Sequence, residues 1–156
     1  MIKSIKKGLK KIWAKFRIKK WLFLDDTRDA PPHLNRVFDV VRNYEEFVEY
    51  IEMYGVPELI SFDHDLSPEH TAYFFENGGF KNPPNPIHQL FWNKTGYDCA
   101  VWLIDHCESE GKRINKVIVH SNNPVGSQNI LNLISDYQKS KYGEINCRVI
   151  KWRYKF

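Results

Sequence analysis

Cysteine, long apolar runs and internal repeats are what this sequence has least of, and each scarcity excludes something. The three cysteines, Cys99, Cys107 and Cys147, are odd in number and form no metal-ligand spacing. That argues against a disulfide scaffold or a zinc-binding module, and the thiols read as reduced structural residues in a reducing compartment. No apolar stretch approaches the ~20 residues of a membrane span. No secretory apolar core precedes a small-residue cleavage site. The expected location is therefore the cytoplasm, with peripheral membrane contact open to one basic segment. Repeats are absent, and 156 residues suffice for one domain with a real core.

Acids are also missing from residues 1–20, which hold nine of the 23 Lys and Arg residues. The remaining chain has 14 basic against 19 acidic residues, a net of −5, so the formal net charge of +4 describes a mildly acidic domain with a basic arm. Within the arm, Ile2, Ile5, Leu9, Ile12, Trp13 and Phe16 recur at helical spacing, with lysines on the other face. Such a basic amphipathic helix either docks on an anionic membrane or a nucleic acid, or packs on the domain with its lysines in solvent.

What is there from residue 21 onward alternates between strand and helix signals. Trp21-Leu22-Phe23-Leu24 reads as a strand ending in Asp25-Asp26, and Val37 to Val41 as a second strand. Between them Pro31-Pro32 argues for a loop. Asn43 suits a helix N-cap with Glu46 at the capping-box position, Phe47, Val48, Ile51 and Tyr54 form the apolar face, and Gly55 ends the helix. Leu59-Ile60-Ser61-Phe62 is an apolar run that breaks into Asp63-His64-Asp65. Residues 67–94 show no period and carry Gly78-Gly79, then Pro83, Pro84 and Pro86, and many aromatics. They read as a lid over the acidic site, with a short helix near His70 to Glu76, or as a loop covering an apolar edge. Thr95-Gly96-Tyr97-Asp98 opens a helix that should bury Val101, Leu103, Ile104 and Cys107. Lys116 to Ser121 is a strand, Asn123 to Ser127 turns into a helix carrying Ile130, Leu131, Leu133 and Ile134, and Cys147 to Trp152 is the last strand. This order predicts an α/β fold, a parallel sheet with helices on both faces.

Three strands thus end in polar clusters, Asp25-Asp26, Asp63-His64-Asp65 and His120-Ser121-Asn122. In a parallel sheet these ends share one edge, where such folds bind ligands. Strand alternation would turn Asp63 and Asp65 to one side and His64 away. Four carboxylates converging there repel unless something compensates, and a hard divalent cation, Mg2+ or Mn2+, is the simplest compensation. The turn at Asn123, Gly126 and Ser127, with Ser121 before it, opens a helix whose N-terminus favours phosphate, although Ser127 also suits an N-cap. Arg28 is placed either to clamp phosphate or to lie in solvent.

The segments Leu22-Phe23-Leu24-Asp25-Asp26-Thr27-Arg28, Asp63-His64-Asp65-Leu66, Thr95-Gly96-Tyr97-Asp98 and His120-Ser121-Asn122-Asn123-Pro124-Val125-Gly126 resemble the cyclic-phosphate processing receiver family, a divergent relative of two-component receiver domains. The resemblance spans about Trp21 to Trp152. It implies a receiver-like, flavodoxin-like fold over residues 21–156 and the processing of a cyclic phosphate, on a nucleotide or an RNA end. The expected activity is a metal-dependent phosphodiesterase. Asp25, Asp26 and Asp63 would hold the metal with Asp65 beside them, and His64 or His120 would act as general acid or base next to Asp63. The alternatives are a phosphoacceptor signalling receiver and a non-catalytic nucleotide-binding module. The sequence departs from a receiver in three places. The Thr27 to Arg36 link is too short and proline-rich for the usual first helix, the 67–94 insertion is long, and the basic arm lies outside the resemblance.

Overall fold

A computed structural model describes residues 21–67 and 94–152. The expected arm helix, the lid and the short helix near His70 lie outside the described residues.

Five parallel strands form one sheet: β1 (Trp21–Leu24), β2 (Phe38–Val41), β3 (Leu59–Phe62), β4 (Lys116–Val119) and β5 (Cys147–Val149), in the order β2-β1-β3-β4-β5. This is the receiver-like, flavodoxin-like arrangement. Among the described residues three α-helices connect them: α1 (Tyr44–Tyr54), α2 (Gly96–Glu110) and α3 (Pro124–Tyr142). The β1–β2 link holds only a one-turn 3-10 helix, Pro32–Leu34. The prolines account for this, since they remove amide donors and fix φ.

The helices begin where short polar side chains replace missing backbone acceptors. Asn43 caps α1 by accepting from the Glu46 amide. The Glu46 carboxylate reaches one residue further back than a capping box requires and accepts from the Arg42 amide at 2.8 Å. Thr95 and Asp98 form a reciprocal capping box at the start of α2. Asn123 caps α3 through the Gly126 amide.

Strand alternation sorts the core into two clusters. Leu22, Leu24, Ile60, Phe62, Val117 and Val119 face the three helices, meeting Phe47 and Ile51 of α1, Leu103 and Cys107 of α2, and Ile130 and Ile134 of α3. Each such fully buried side chain contributes about 1.5–3 kcal/mol. Phe23, Leu59 and Ile118 face the other way, toward Ala30 and Leu34 of the short link and toward Trp152. Details of the helix faces differ from expectation. Val101 is exposed, because Ala100 falls on the inward side of its helix instead, and Tyr54 is exposed at the last position of α1. The last strand stops at Val149 rather than Trp152. All three cysteines are free, and burial pushes the Cys107 thiol up to about 11 and the Cys147 thiol up to about 12, which keeps them protonated and inert.

Candidate functional site

Register builds the site. Leu24 pairs with Val41 and Phe62, and Phe62 with Val119. The next residue of each strand therefore falls in one row: Arg42, Asp25, Asp63 and His120. Backbone bonds extend the sheet through that row, from Asp25 N to Val41 O, Asp63 N to Leu24 O and His120 N to Phe62 O, at 2.9–3.1 Å. The three polar clusters read from the sequence do share one edge.

One carboxylate oxygen each of Asp25, Asp26 and Asp63 lies within 4.8 Å of the others. Asp25 is fully buried and densely bonded. Its Oδ1 accepts from the amides of Thr27 (3.0 Å) and Arg28 (2.6 Å), and its Oδ2 from Arg28 Nε (2.7 Å) and His120 Nε2 (3.1 Å). Burial pushes its acidity one way, but the bonds from His120 and from the Arg28 and Thr27 amides outweigh it and hold the carboxyl below its usual value. Asp26 goes the opposite way. Burial raises it, and the neighbouring charges of Asp25 and Asp63 raise it further. Asp63 accepts from the His64 amide at 2.8 Å and from Arg28 Nη2 at 3.0 Å.

Arg28 is partly buried and paired with the acids. Its guanidinium bridges Asp25 and Asp63. The loop it stands on is fixed by Arg42, whose Nη1 donates to the carbonyls of Asp25 (3.1 Å) and Arg28 (2.7 Å) and whose Nη2 pairs with Asp29. Sequence reading missed Arg42, although the signal used for the acids, a polar residue just past a strand, applies to it equally.

The two histidines have different settings. The His120 side chain is fully buried, stacks on Phe23 with centroids 4.3 Å apart, and uses both ring nitrogens. A carboxylate only accepts, so Nε2–H donates to Asp25. Nδ1 meets the Ser61 hydroxyl at 2.7 Å. Ser61, a second residue sequence reading passed over, was visible as the one polar residue inside an apolar run. His64 instead faces the start of α3. Its Nδ1–H donates to Asp65 Oδ1 at 2.7 Å, and Asn123 Nδ2 donates to the same oxygen at 3.3 Å. No hydrogen bond reaches His64 Nε2 among the described residues.

Asp65 lies outside the acidic triad. The strand ends at Phe62, so alternation does not carry to Asp65, and its carboxylate orients His64. Two glycines allow this packing. A Cβ on Gly126 would sit 2.2 Å from His64 Cγ, and a Cβ on Gly96 would sit 1.8 Å from the Asp63 carbonyl oxygen. The Gly96 amide donates to the His64 carbonyl at 2.8 Å, pressing α2 against the acidic turn.

The expected phosphate turn is built largely on itself. Asn123 accepts from the Gly126 amide (2.9 Å) and the Ser127 amide (2.8 Å), the Ser127 hydroxyl donates to the Ser121 carbonyl, and Ser121 Oγ accepts from the Asn123 amide. Asn123, not Ser127, is the N-cap.

Residues 20–136 match the cyclic-phosphate processing receiver domain. No curated protein and no solved structure matches the chain. The match covers well over half of the sequence, and the chain belongs to that family. No described helix is long and apolar enough to cross a membrane.

Proposed function

We propose that this cyclic-phosphate processing receiver is a metal-dependent phosphodiesterase that opens a cyclic phosphate, on a cyclic nucleotide or on a cyclic-phosphate nucleic-acid end. The observation that carries the proposal is the meeting of three carboxylates, Asp25, Asp26 and Asp63, within 4.8 Å, beside a histidine held by its own carboxylate.

The donor set fits a hard cation. All three ligands are oxygens, and the raised pKa of Asp26, due to burial and to the neighbouring charges of Asp25 and Asp63, marks surplus negative charge that a cation would relieve. Asp25, Asp26 and Asp63 would hold Mg2+ or Mn2+, which when bound supplies Lewis-acid polarisation of a phosphoryl oxygen. Asp65 serves this site through His64.

The remaining chemistry belongs to side chains. Opening the ring breaks one ester P–O bond as a water oxygen joins phosphorus. A proton leaves the water and one arrives on the departing oxygen. His64 is suited to move it, because Asp65 fixes Nδ1–H and leaves Nε2 as the exchanging atom. His120 has both nitrogens engaged, so its part is to orient Asp25. Arg28 and the N-terminal turn of α3, from Ser121 through Asn123 and Gly126 to Ser127, would meet the phosphate charge.

A second reading is favoured by the position of Asp63, which stands at the end of the central strand as an acceptor for an aspartyl phosphate. The basic arm, residues 1–20, would carry docking to an anionic membrane or nucleic acid, tested by liposome and RNA co-sedimentation with and without those residues.

The test is product analysis by chromatography. Cyclic nucleotides and 2′,3′-cyclic RNA ends are incubated with the protein in Mg2+, in Mn2+ and in chelator. A linear product that requires metal supports the phosphodiesterase. A mass gain of one phosphoryl group on Asp63 after incubation with a small acyl-phosphate donor, without a linear product from the cyclic substrates, favours the receiver. Ligand-induced stabilisation with neither favours a binding module.

A further inference from the structure

Arg28 is a cation already seated on the carboxylates that a divalent ion would need. Its Nε lies 2.7 Å from Asp25 Oδ2 and its Nη2 3.0 Å from Asp63 Oδ2, so one guanidinium spans two of the three acidic ligands. The arrangement compensates charge only in part. Three carboxylates face one guanidinium, and Asp26 is the one that Arg28 does not bridge. The Arg28 side chain is 28% exposed, against 0% for Asp25, so the arginine has an open side toward which it can move while Asp25 is fixed. Its backbone need not follow, because Arg42 holds the Arg28 carbonyl at 2.7 Å and Asp25 holds the Arg28 amide at 2.6 Å.

We propose that Arg28 and a divalent cation compete for the carboxylate oxygens of Asp25 and Asp63, and that cation binding releases the guanidinium to take the phosphate of the substrate. This inference rests on the metal reading of the triad. It gives Arg28 two successive partners, an intramolecular acid pair and then an anion, and it makes phosphate binding depend on the cation. An arginine that merely braced the loop would do neither.

The competition has a sign that ordinary scaffolding lacks. Removing a scaffold weakens metal binding, whereas removing a competitor strengthens it. The measurement is calorimetric titration of Mg2+ into the full chain, wild type and Arg28→Met, with melting temperatures in chelator and in Mg2+. Charge-assisted bonds of this kind correspond to roughly tenfold in an equilibrium constant. Arg28→Met is therefore expected to bind Mg2+ about tenfold more tightly. It should melt lower than wild type in chelator, and Mg2+ should raise its melting temperature more than that of wild type. Inorganic phosphate should bind the wild type better with Mg2+ than without, and this enhancement should disappear in Arg28→Met. Arg28→Lys keeps the charge without the fork and should fall between the two in Mg2+ affinity. Equal or weaker Mg2+ binding by a folded Arg28→Met overturns the competition while leaving the metal site intact. Absence of Mg2+ and Mn2+ binding by both proteins overturns the metal reading itself, and the competition with it.

Discussion

His120 and His64 follow the ends of neighbouring strands, yet they belong to two different kinds of structure. The region around His120 is a buried pillar. Phe23 stacks beneath the ring, Ser61 and Asp25 take its two nitrogens, and the side chain has no exposed surface. The region around His64 is a supported surface. Asp65 and Asn123 hold one end of the group, Gly126 makes room for the ring, and the side chain is 16% exposed. On the proposed reading, the difference teaches how one sheet edge would divide its work. A group that moves protons must reach its reactant, while a group that fixes an acid gains from having no freedom.

The comparison breaks first at His64. His64→Gln is expected to lower turnover of a cyclic phosphate by about 10²–10⁴-fold while leaving the thermal midpoint nearly unchanged. Unaltered turnover would remove His64 from the chemistry. His120→Ala should show the reverse emphasis in chemical denaturation, losing about 2–4 kcal/mol because it opens a void over Phe23 and strips Asp25 and Ser61 of a partner. A loss below about 0.5 kcal/mol would show that the pillar is not one. Gly126→Ala sharpens the same contrast at one methyl group. The new Cβ displaces the His64 ring, so turnover should fall about 10–100-fold with a smaller loss of stability, and a normal rate would mean that the ring position is unimportant.

The smallest effect concerns Asp26 and pH. Its pKa is raised, so the metal-free protein loses stability as pH rises from the unfolded value through the folded one. Asp25 is lowered, and its contribution is lost instead as pH falls through its folded value. In chelator, Asp26→Asn should therefore melt about 1–3 °C above wild type at neutral pH, with the gap closing below roughly pH 4. A gap that persists in acid would point to packing rather than charge.

Much of this was legible in the sequence because it depends on neighbours along the chain. Apolar runs breaking into acids marked the strand ends, paired prolines ruled out a helix after β1, and Thr95 with Asp98 announced α2. What was not legible depends on lateral register and on where a strand stops. Arg42 joins the site only because Val41 pairs with Leu24. Ser61 matters only because His120 lies across from it. Asp65 was expected beside Asp63 on the assumption that alternation continued, and the strand ends too early for that. Arg28 could be placed near the acids but not across them, since the bend of its loop is fixed by Arg42 and by the Asp25 carboxylate.

The central claim is that the acids at the ends of β1 and β3 hydrolyse a cyclic phosphate. Asp63→Asn tests it most directly, compared with wild type on the best substrate of the cyclic-phosphate panel, in Mg2+, by chromatography of the linear product. The account predicts product from wild type and none above background from a variant that melts as one folded species. Equal product from Asp63→Asn would contradict it.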